Sequence, residues 1–196
     1  LDIGAAKPTL AQRSIIAHHL IDVVDPREEM TAARYSRMAR DAICAIRRRA
    51  KNVVIVGGTG LYIRALLYGL MEAPPADRAL RQRLETLADA NGDHALHEKL
   101  KTVDPATAAR LHTGDRIRII RALEVHAHTG TPISALQKKH GFRSSPYEIT
   151  YIVLDPGRDP LAARIHARAK KMFENGLIDE AAGLLQRGYS PRLRPL

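Results

Sequence analysis

The stretch Val53–Tyr62 constrains the fold of this chain more than any other, because it has the pattern of a buried β-strand that turns into a helix. The four residues Val53–Val56 are all β-branched and apolar, which is typical of a strand covered on both faces. The glycines that follow allow a phosphate or a substrate to approach the backbone, and Thr59 adds a hydroxyl at the rim. The pattern indicates a ligand site at the end of a strand in an open α/β sheet, although the same turn also occurs with a purely structural role.

The residues around this stretch alternate between helix and strand signals. Apolar residues recur at three- and four-residue spacing over residues 31–50, where Thr31 can cap a helix, and a second helix is predicted from Leu61 to Tyr68. Strand signals return at Tyr147–Leu154, and two helices separated by Gly176 follow, over residues 160–175 and 177–187. This order predicts an α/β core.

Between these parts, residues 77–140 contain only helix signals. Asp77 has the position of an N-cap, and Asp104-Pro105 and Thr131-Pro132 each place a cap before a proline at the first helical position. The sequence therefore predicts an α/β core over residues 1–72 and 143–196, interrupted by an all-helical insert over residues 73–142.

Composition restricts the function classes. A formal net charge of +10 favours a polyanionic partner such as nucleic acid or a phosphorylated substrate. The apolar runs are shorter than the roughly 20 residues that cross a bilayer, and no secretion signal begins the chain, so a cytoplasmic protein without membrane contact is expected. The lone Cys44 falls on the apolar face of the first long helix and is expected to be buried.

Arginines concentrate on two predicted helices. Arg118 and Arg121 share one face with Glu124, so they could bind phosphate or form an ion-pair ladder with that glutamate. Arg164 and Arg168 are four residues apart on another helix, where they could clamp a diphosphate or pair with acids such as Asp159 or Glu180. The histidines lack the spacing of a metal site.

Several motifs, taken together, resemble the tRNA dimethylallyltransferase (isopentenyltransferase) family. The resemblance covers essentially the whole chain, because five motifs occur in the family's order. They are DIGAAKP at 2–8, HHLID at 18–22, VGGTGLY at 56–62, RIIRALEV at 118–125, and the pattern RIxxRxxxMxxxGLxxE at 164–180.

The resemblance implies a P-loop-kinase-like parallel sheet with a helical insert that clasps the anticodon stem-loop of tRNA. Members of the family transfer a dimethylallyl group from dimethylallyl diphosphate to N6 of the adenine at position 37, which is flipped out of the stack so that its amine is accessible. The implied cofactor is Mg²⁺, which helps the diphosphate to leave. The implied partners are tRNA and dimethylallyl diphosphate, and the protein is expected to be a monomer.

The resemblance also implies site residues. Thr59, Arg81 and the segment Ile117, Arg118, Ile119, Ile120 and Arg121 match tRNA-contacting positions, with Arg118 and Arg121 as the functional pair. Arg168 is the first candidate for a diphosphate contact and Arg164 the second. No catalytic residue and no metal ligand is assigned in this chain.

The chain departs from the family pattern in ways that affect catalysis. The phosphate-binding loop Gly-x-Thr-x-Ser-Gly-Lys and the Asp-Ser-x-Gln-Val-Tyr segment with its presumed base are absent, as is the family's C-terminal region. Ala5, Gly114 and Ile117 replace a usual Thr, Asn and Gln. We therefore expect a fragment that does not catalyse transfer by itself. Two alternatives stay open: a nucleotide-kinase-like phosphotransferase, and a basic RNA-binding module without chemistry.

Overall fold

The computed structural model describes residues 1–193 and divides the chain into two compact units. We call them the flanking unit, which comprises Leu1–Leu66 and the chain from Tyr147, and the central unit, Leu67–Pro146. Residues 1–193 form ten helices: α1 (Leu10–Ile15), α2 (Ala32–Arg48), α3 (Gly60–Tyr68), α4 (Arg78–Asn91), α5 (Asp93–Val103), α6 (Pro105–Ala108), α7 (Arg116–Thr129), α8 (Ile133–His140), α9 (Arg158–Glu174) and α10 (Leu177–Gln186).

Local signals position the helix ends. Thr31 caps α2 by accepting a hydrogen bond from the amide of Arg34 at 3.1 Å, and Asp77 caps α4 through the amide of Leu80 at 3.0 Å. Gly176 separates α9 from α10 with a φ of +92°, a left-handed conformation that favours glycine. The predicted helices over residues 31–50, 61–68, 160–175 and 177–187 are confirmed, with ends shifted by at most two residues.

Helices α4 to α8 enclose the hydrophobic core of the central unit. Helix α5 lies at its centre and contacts α4, α6 and α7. Leu96 and Leu100 of α5 are completely buried, as are Ile119 and Val125 of α7. The packing of α7 in this apolar core holds the helix in place, so the polar side chains of α7 have defined positions.

In the flanking unit, α2 packs beside α3. The Ser36 hydroxyl of α2 donates a hydrogen bond to the carbonyl of Ala65 at 3.0 Å, and the rings of Tyr35 and Tyr62 stack with centroids 4.9 Å apart. Helices α9 and α10 contact each other. Ala65 of α3, whose carbonyl accepts the hydrogen bond from Ser36 of α2, is only 1% exposed.

The parallel sheet expected from the sequence does not occur in residues 1–193, which contain helices and irregular segments but no strand. The prediction of a buried strand at Val53–Val56 is therefore wrong, since Val54 and Val56 are 82% and 90% exposed. The same holds for Tyr147–Leu154, where Ile152 to Leu154 are also exposed. A strand is held by hydrogen bonds to a neighbouring strand, and residues 1–193 contain no strand that could supply them to either segment.

Two further expectations require correction. Cys44 is exposed rather than buried, because the buried face of α2 is centred on Ser36, Ala39 and Ile43 and Cys44 lies beyond its edge. Helix α8 begins with Pro132 at the N-cap, without a side-chain cap, so Thr131 does not cap it. The Asp104-Pro105 prediction is confirmed, since Asp104 caps α6 and Pro105 is its first residue.

We expect Asp104→Ala to lower the free energy of unfolding by about 2 kcal/mol, because this carboxylate is buried and satisfies several donors. It accepts hydrogen bonds from the amide and hydroxyl of Thr107 at 2.9 and 2.8 Å and from the amide of Ser134 at 3.0 Å. Urea denaturation measures the change. The matched control is Asp115→Ala, which removes a more exposed N-cap with a 3.4 Å bond and should cost less than half as much. Equal losses would contradict the role given to Asp104.

Candidate functional site: two arginine-lined surfaces

A buried carboxylate organises the arginines of the central unit. Glu124 on α7 is completely buried, and its carboxylate accepts hydrogen bonds from Nε and Nη2 of Arg81 at 2.8 and 2.9 Å. Arg121, one turn earlier on α7, also binds it, and the backbone amide of Asp77 donates to it at 2.6 Å. Burial alone would raise the pKa of Glu124, but the hydrogen bonds from the two arginines and the amide lower that pKa to about 2. Glu124 is therefore charged at neutral pH.

Arg81 and Arg121 are held by this carboxylate but still reach solvent. Their side chains are 39% and 31% exposed, and Nη2 of Arg121 also donates to the carbonyl of Pro74 at 2.9 Å. A guanidinium group that a carboxylate positions and that is still exposed to solvent can bind a phosphate at a low cost in conformational entropy. The structure thus brings together two of the arginines that the resemblance selects, Arg81 and Arg121.

Arg118 is not part of this cluster. Its side chain is 74% exposed and pairs at 2.8 Å with Asp115, the N-cap of α7. The ion-pair ladder considered from the sequence is therefore confirmed for Arg121 with Glu124, whereas Arg118 pairs with a different acid. An exposed arginine with one exposed ion pair can exchange that partner for a phosphate at little cost.

The other residues of this segment divide between surface and core. Ile117 is 79% exposed, while Ile119 and Ile120 are 0% and 5% exposed and belong to the hydrophobic core of the central unit. Their side chains position α7. The side chains of this segment that a ligand can reach are those of Ile117, Arg118 and Arg121.

Thr59 lies in the flanking unit, immediately before α3. It is exposed, and its backbone carbonyl accepts hydrogen bonds from the amides of Tyr62 and Ile63 at 3.0 and 3.2 Å. A Cβ placed on Gly57, Gly58 or Gly60 would meet no atom within 4 Å, so this turn is open to solvent. The backbone and the Thr59 hydroxyl are accessible to a ligand here.

A cleft of about 770 Å³ in the flanking unit gathers a second set of cations. Arg164 and Arg168 of α9 line one wall, and neither lies within 4 Å of a carboxylate oxygen in the described residues, so the pairing with Asp159 or Glu180 does not form. The volume suits a small organic diphosphate. The remaining charged residues of its lining are Asp2, Lys7, Arg13, Asp22 and Lys171.

Lys7 links two parts of the N-terminal segment that also lines the cleft. Its ammonium group binds Asp2 at 2.8 Å and also binds Asp22, which accepts a further bond from Arg13 at 3.4 Å. Partial burial alone would lower the pKa of Lys7, but its hydrogen bonds to Asp2 and Asp22 raise it, so the side chain stays cationic.

Glu180 of α10 holds the start of the same loop. Its carboxylate accepts hydrogen bonds from the amides of Asp2, Ile3 and Gly4, the last two at 3.1 and 3.0 Å. Burial alone would raise the pKa of Glu180, and these amides lower it. The carboxylate therefore positions the chain that carries Asp2 and Lys7.

Sequence reasoning missed several of these residues. Lys7 and Glu180 lie inside quoted motifs, yet nothing in their spacing indicates that they meet across the fold. Arg13 and Lys171 gave no signal, since isolated cations are most often solvated. Glu124 was considered only as a partner for neighbouring arginines, and its contact with Arg81 joins residues 43 positions apart.

The described residues do not fit a protein-bound Mg²⁺. This ion takes oxygen ligands in a near-octahedral arrangement, but the carboxylates at the cleft, Asp2 and Asp22, are both engaged by Lys7. Residues 1–193 contain no group of three His, Cys, Asp or Glu side chains that could hold a metal ion. In the same part of the chain, no helix combines the length and apolarity that crossing a membrane requires.

Comparison with known proteins gives consistent results. The chain is 47% identical over 196 residues to tRNA dimethylallyltransferase 1 of Citrifermentans bemidjiense and 46% identical to tRNA dimethylallyltransferase of Geobacter sulfurreducens. All of this chain is covered in each case, and it spans 63% of the length of each relative.

Solved structures agree with these relatives. A full-length tRNA isopentenylpyrophosphate transferase from Bacillus halodurans is 38% identical with a TM-score of 0.59, over 98% of this chain and 58% of that one. A eukaryotic dimethylallyltransferase acting on tRNA is 26% identical with a TM-score of 0.70, over 99% of this chain and 48% of that one. The family model described as IPP transferase matches residues 1–196. The chain thus belongs to the IPP transferase family.

Proposed function

We propose that this chain takes part in the transfer of a dimethylallyl group from dimethylallyl diphosphate to N6 of adenine 37 in tRNA. Its relatives are named as dimethylallyltransferases that act on tRNA. The observation that carries the proposal is the cleft in the flanking unit, which Arg164 and Arg168 line with no carboxylate oxygen of the described residues within 4 Å of either. In the reaction, the bond between the allylic carbon and the diphosphate oxygen breaks and a carbon–nitrogen bond to N6 forms. The diphosphate leaves with the electron pair, and N6 releases a proton.

The cleft supports the leaving-group half of this reaction. Guanidinium groups match the oxygens of a diphosphate and neutralise the charge that develops on it. We assign this neutralisation to Arg164 and Arg168, because the charge of Lys7 is already paired with Asp2 and Asp22. Mg²⁺ bound together with the diphosphate would supply further positive charge. We assign no described residue as the base that accepts the proton from N6.

The central unit supports the RNA-binding half. We propose that Arg81 and Arg121, which Glu124 positions, and separately the exposed Arg118 contact the phosphates of the anticodon stem-loop. We place Thr59, on its open glycine turn, in contact with the RNA as well. The proposal treats the protein as a cytoplasmic monomer.

We also infer that Val53–Val56 and Tyr147–Leu154 act as strands of a P-loop-kinase-like parallel sheet when neighbours pair with them. Their exposed β-branched and aromatic side chains support this, because such runs are favoured on a pleated, covered surface.

A binding experiment tests the function. Calorimetry with dimethylallyl diphosphate and fluorescence anisotropy with a labelled anticodon stem-loop should both show specific binding. If ATP binds and dimethylallyl diphosphate does not, the chain is a phosphotransferase of the nucleotide-kinase type. If only RNA binds, the chain acts as an RNA-binding module without chemistry.

We expect Arg118→Ala to weaken binding of the anticodon stem-loop about 10-fold and to reduce the salt slope by about 1, since one phosphate contact is lost. The side chain of Arg118 is 74% exposed and its ion pair with Asp115 lies near the surface, so the fold should be unaffected. Anisotropy titrations at several salt concentrations measure both quantities. The control is Lys101→Ala, which removes an exposed charge paired with Glu98 in the same unit and should change affinity less than 2-fold. Unchanged affinity in the Arg118 variant would remove it from the RNA surface.

A further inference from the structure

Helix α2 of the flanking unit carries a strongly basic face that neither the cleft nor the central unit uses. We call it the α2 basic face and define it as Arg37, Arg40, Arg47 and Arg48, all exposed. At about 100° per residue, these positions fall within one third of the helix circumference, beside the buried face of Ser36, Ala39 and Ile43.

These four arginines lack acidic partners. Among residues 1–193, none of them lies within 4 Å of a carboxylate oxygen, although Asp41 and Cys44 lie on the same face. Arg34, on the same helix, shows the contrast, because it binds Glu28 at 2.8 Å. The face therefore keeps a net charge of about +3 when Asp41 is counted.

Helix stability does not account for this arrangement. Cations at the C-terminal end of a helix interact favourably with the helix dipole, and this interaction accounts for Arg47 and Arg48. Arg37 and Arg40 lie in the first half of α2, where the dipole gives no such benefit, and they repel each other at a spacing of three residues. A face that maintains this repulsion is suited to an anionic partner.

We propose that the α2 basic face binds the phosphate backbone of the RNA substrate, as a second contact surface in addition to the arginines of the central unit. The proposal rests on the RNA-binding function proposed above. From Arg37 to Arg48 the helix rises about 16 Å, enough to meet several phosphates of one strand. The face carries no aromatic side chain, because Tyr35 stacks on Tyr62, so it has no platform for bases and its contacts do not depend on sequence.

The experiment compares two fourfold variants of the protein. One carries Arg37→Gln, Arg40→Gln, Arg47→Gln and Arg48→Gln, and its matched control carries lysine at the same four positions. Glutamine, lysine and arginine have similar helix propensities, so circular dichroism should show unchanged helix content in both. The affinity for a whole tRNA is measured over a series of salt concentrations.

We expect the glutamine variant to bind tRNA roughly 1,000-fold more weakly near about 0.1 M salt, with a salt slope reduced by about 3, because four phosphate contacts are lost. The lysine variant should keep the slope, since lysine retains the point charge. Equal losses in both variants would overturn the proposal, because charge would then not be the cause.

Arg118→Ala separates this proposal from the proposed function. If the glutamine variant binds tRNA as tightly as the unmodified protein while Arg118→Ala weakens binding, the α2 basic face is not an RNA surface and the function stands. If the unmodified protein itself does not bind tRNA, the function fails and the α2 proposal fails with it.

Discussion

Replacing Glu124 by alanine is expected to lower the free energy of unfolding by about 3 kcal/mol, because it leaves two arginines and a backbone amide without their shared acceptor. The carboxylate is completely buried, and it binds Arg81, Arg121 and the amide of Asp77. Urea denaturation followed by circular dichroism measures the loss. The control Glu98→Ala removes an exposed carboxylate of the same unit and should cost well under 1 kcal/mol. A loss below 1 kcal/mol for Glu124→Ala would contradict this role.

The effect should depend on pH in a defined direction. The pKa of Glu124 is lowered from 4.5 to about 2 in the folded protein, so the unfolded chain takes up this proton first as the pH falls. The stabilisation is therefore fully present above pH 4.5 and is lost between pH 4.5 and 2, and a shift of this size corresponds to roughly 3 kcal/mol. The difference in stability between the unmodified protein and Glu124→Ala should shrink over this range. A difference that stays constant down to pH 2 would show that lost packing, not lost charge, destabilises the variant.

Replacing Arg164 and Arg168 together by alanine is expected to weaken binding of dimethylallyl diphosphate about 100-fold, since each guanidinium group contributes a charge-assisted hydrogen bond to the diphosphate. Both residues line the cleft from α9, and both are exposed, so alanine should leave the helix intact. Calorimetry measures the dissociation constant of the diphosphate, and anisotropy measures that of the anticodon stem-loop, which should change less than 2-fold.

Lys170→Ala is the matched control for this pair. Lys170 lies on the same helix but outside the cleft lining, and its ammonium group lies 3.9 Å from the carboxylate of Glu174. Loss of its charge should leave diphosphate binding nearly unchanged. If the control and the double variant weaken binding equally, the cleft acts only through general charge. If the double variant weakens RNA binding as strongly as diphosphate binding, the arginines do not belong to a diphosphate site.

The candidate site could be predicted in part from the sequence. Arg164 and Arg168 share a helix face, so their spacing was sufficient to select them, and the structure places both in one cleft. The N-terminal part of that cleft's lining could not be predicted, because Lys7 and Arg164 are far apart in the chain and only folding brings them to the same cavity. Similarly, the sequence could not predict the partner of Arg81, because the contact between Arg81 and Glu124 joins two helices, α4 and α7.

The sequence by itself determined four helices, α2, α3, α9 and α10, to within two residues at each end, and the starts of α4 and α6. The caps at Thr31, Asp77 and Asp104 and the left-handed Gly176 act within three or four residues, so contiguous sequence contains all the chemistry they need. Five motifs in a fixed order were likewise enough to predict the family, and the family model that matches residues 1–196 confirms it.

Only the tertiary structure decided the contacts that cross the chain. The apolar run Val53–Val56 has strand propensity, but a strand forms only where another strand supplies its hydrogen bonds, and none does so in residues 1–193. The burial of Glu124 and the exposure of Cys44 depend on which helix faces meet, and periodicity alone locates such a face only to within one neighbouring position. Local hydrogen bonds are encoded by neighbouring residues, whereas the cleft and the Glu124 cluster arise from contacts between residues that are distant in the sequence.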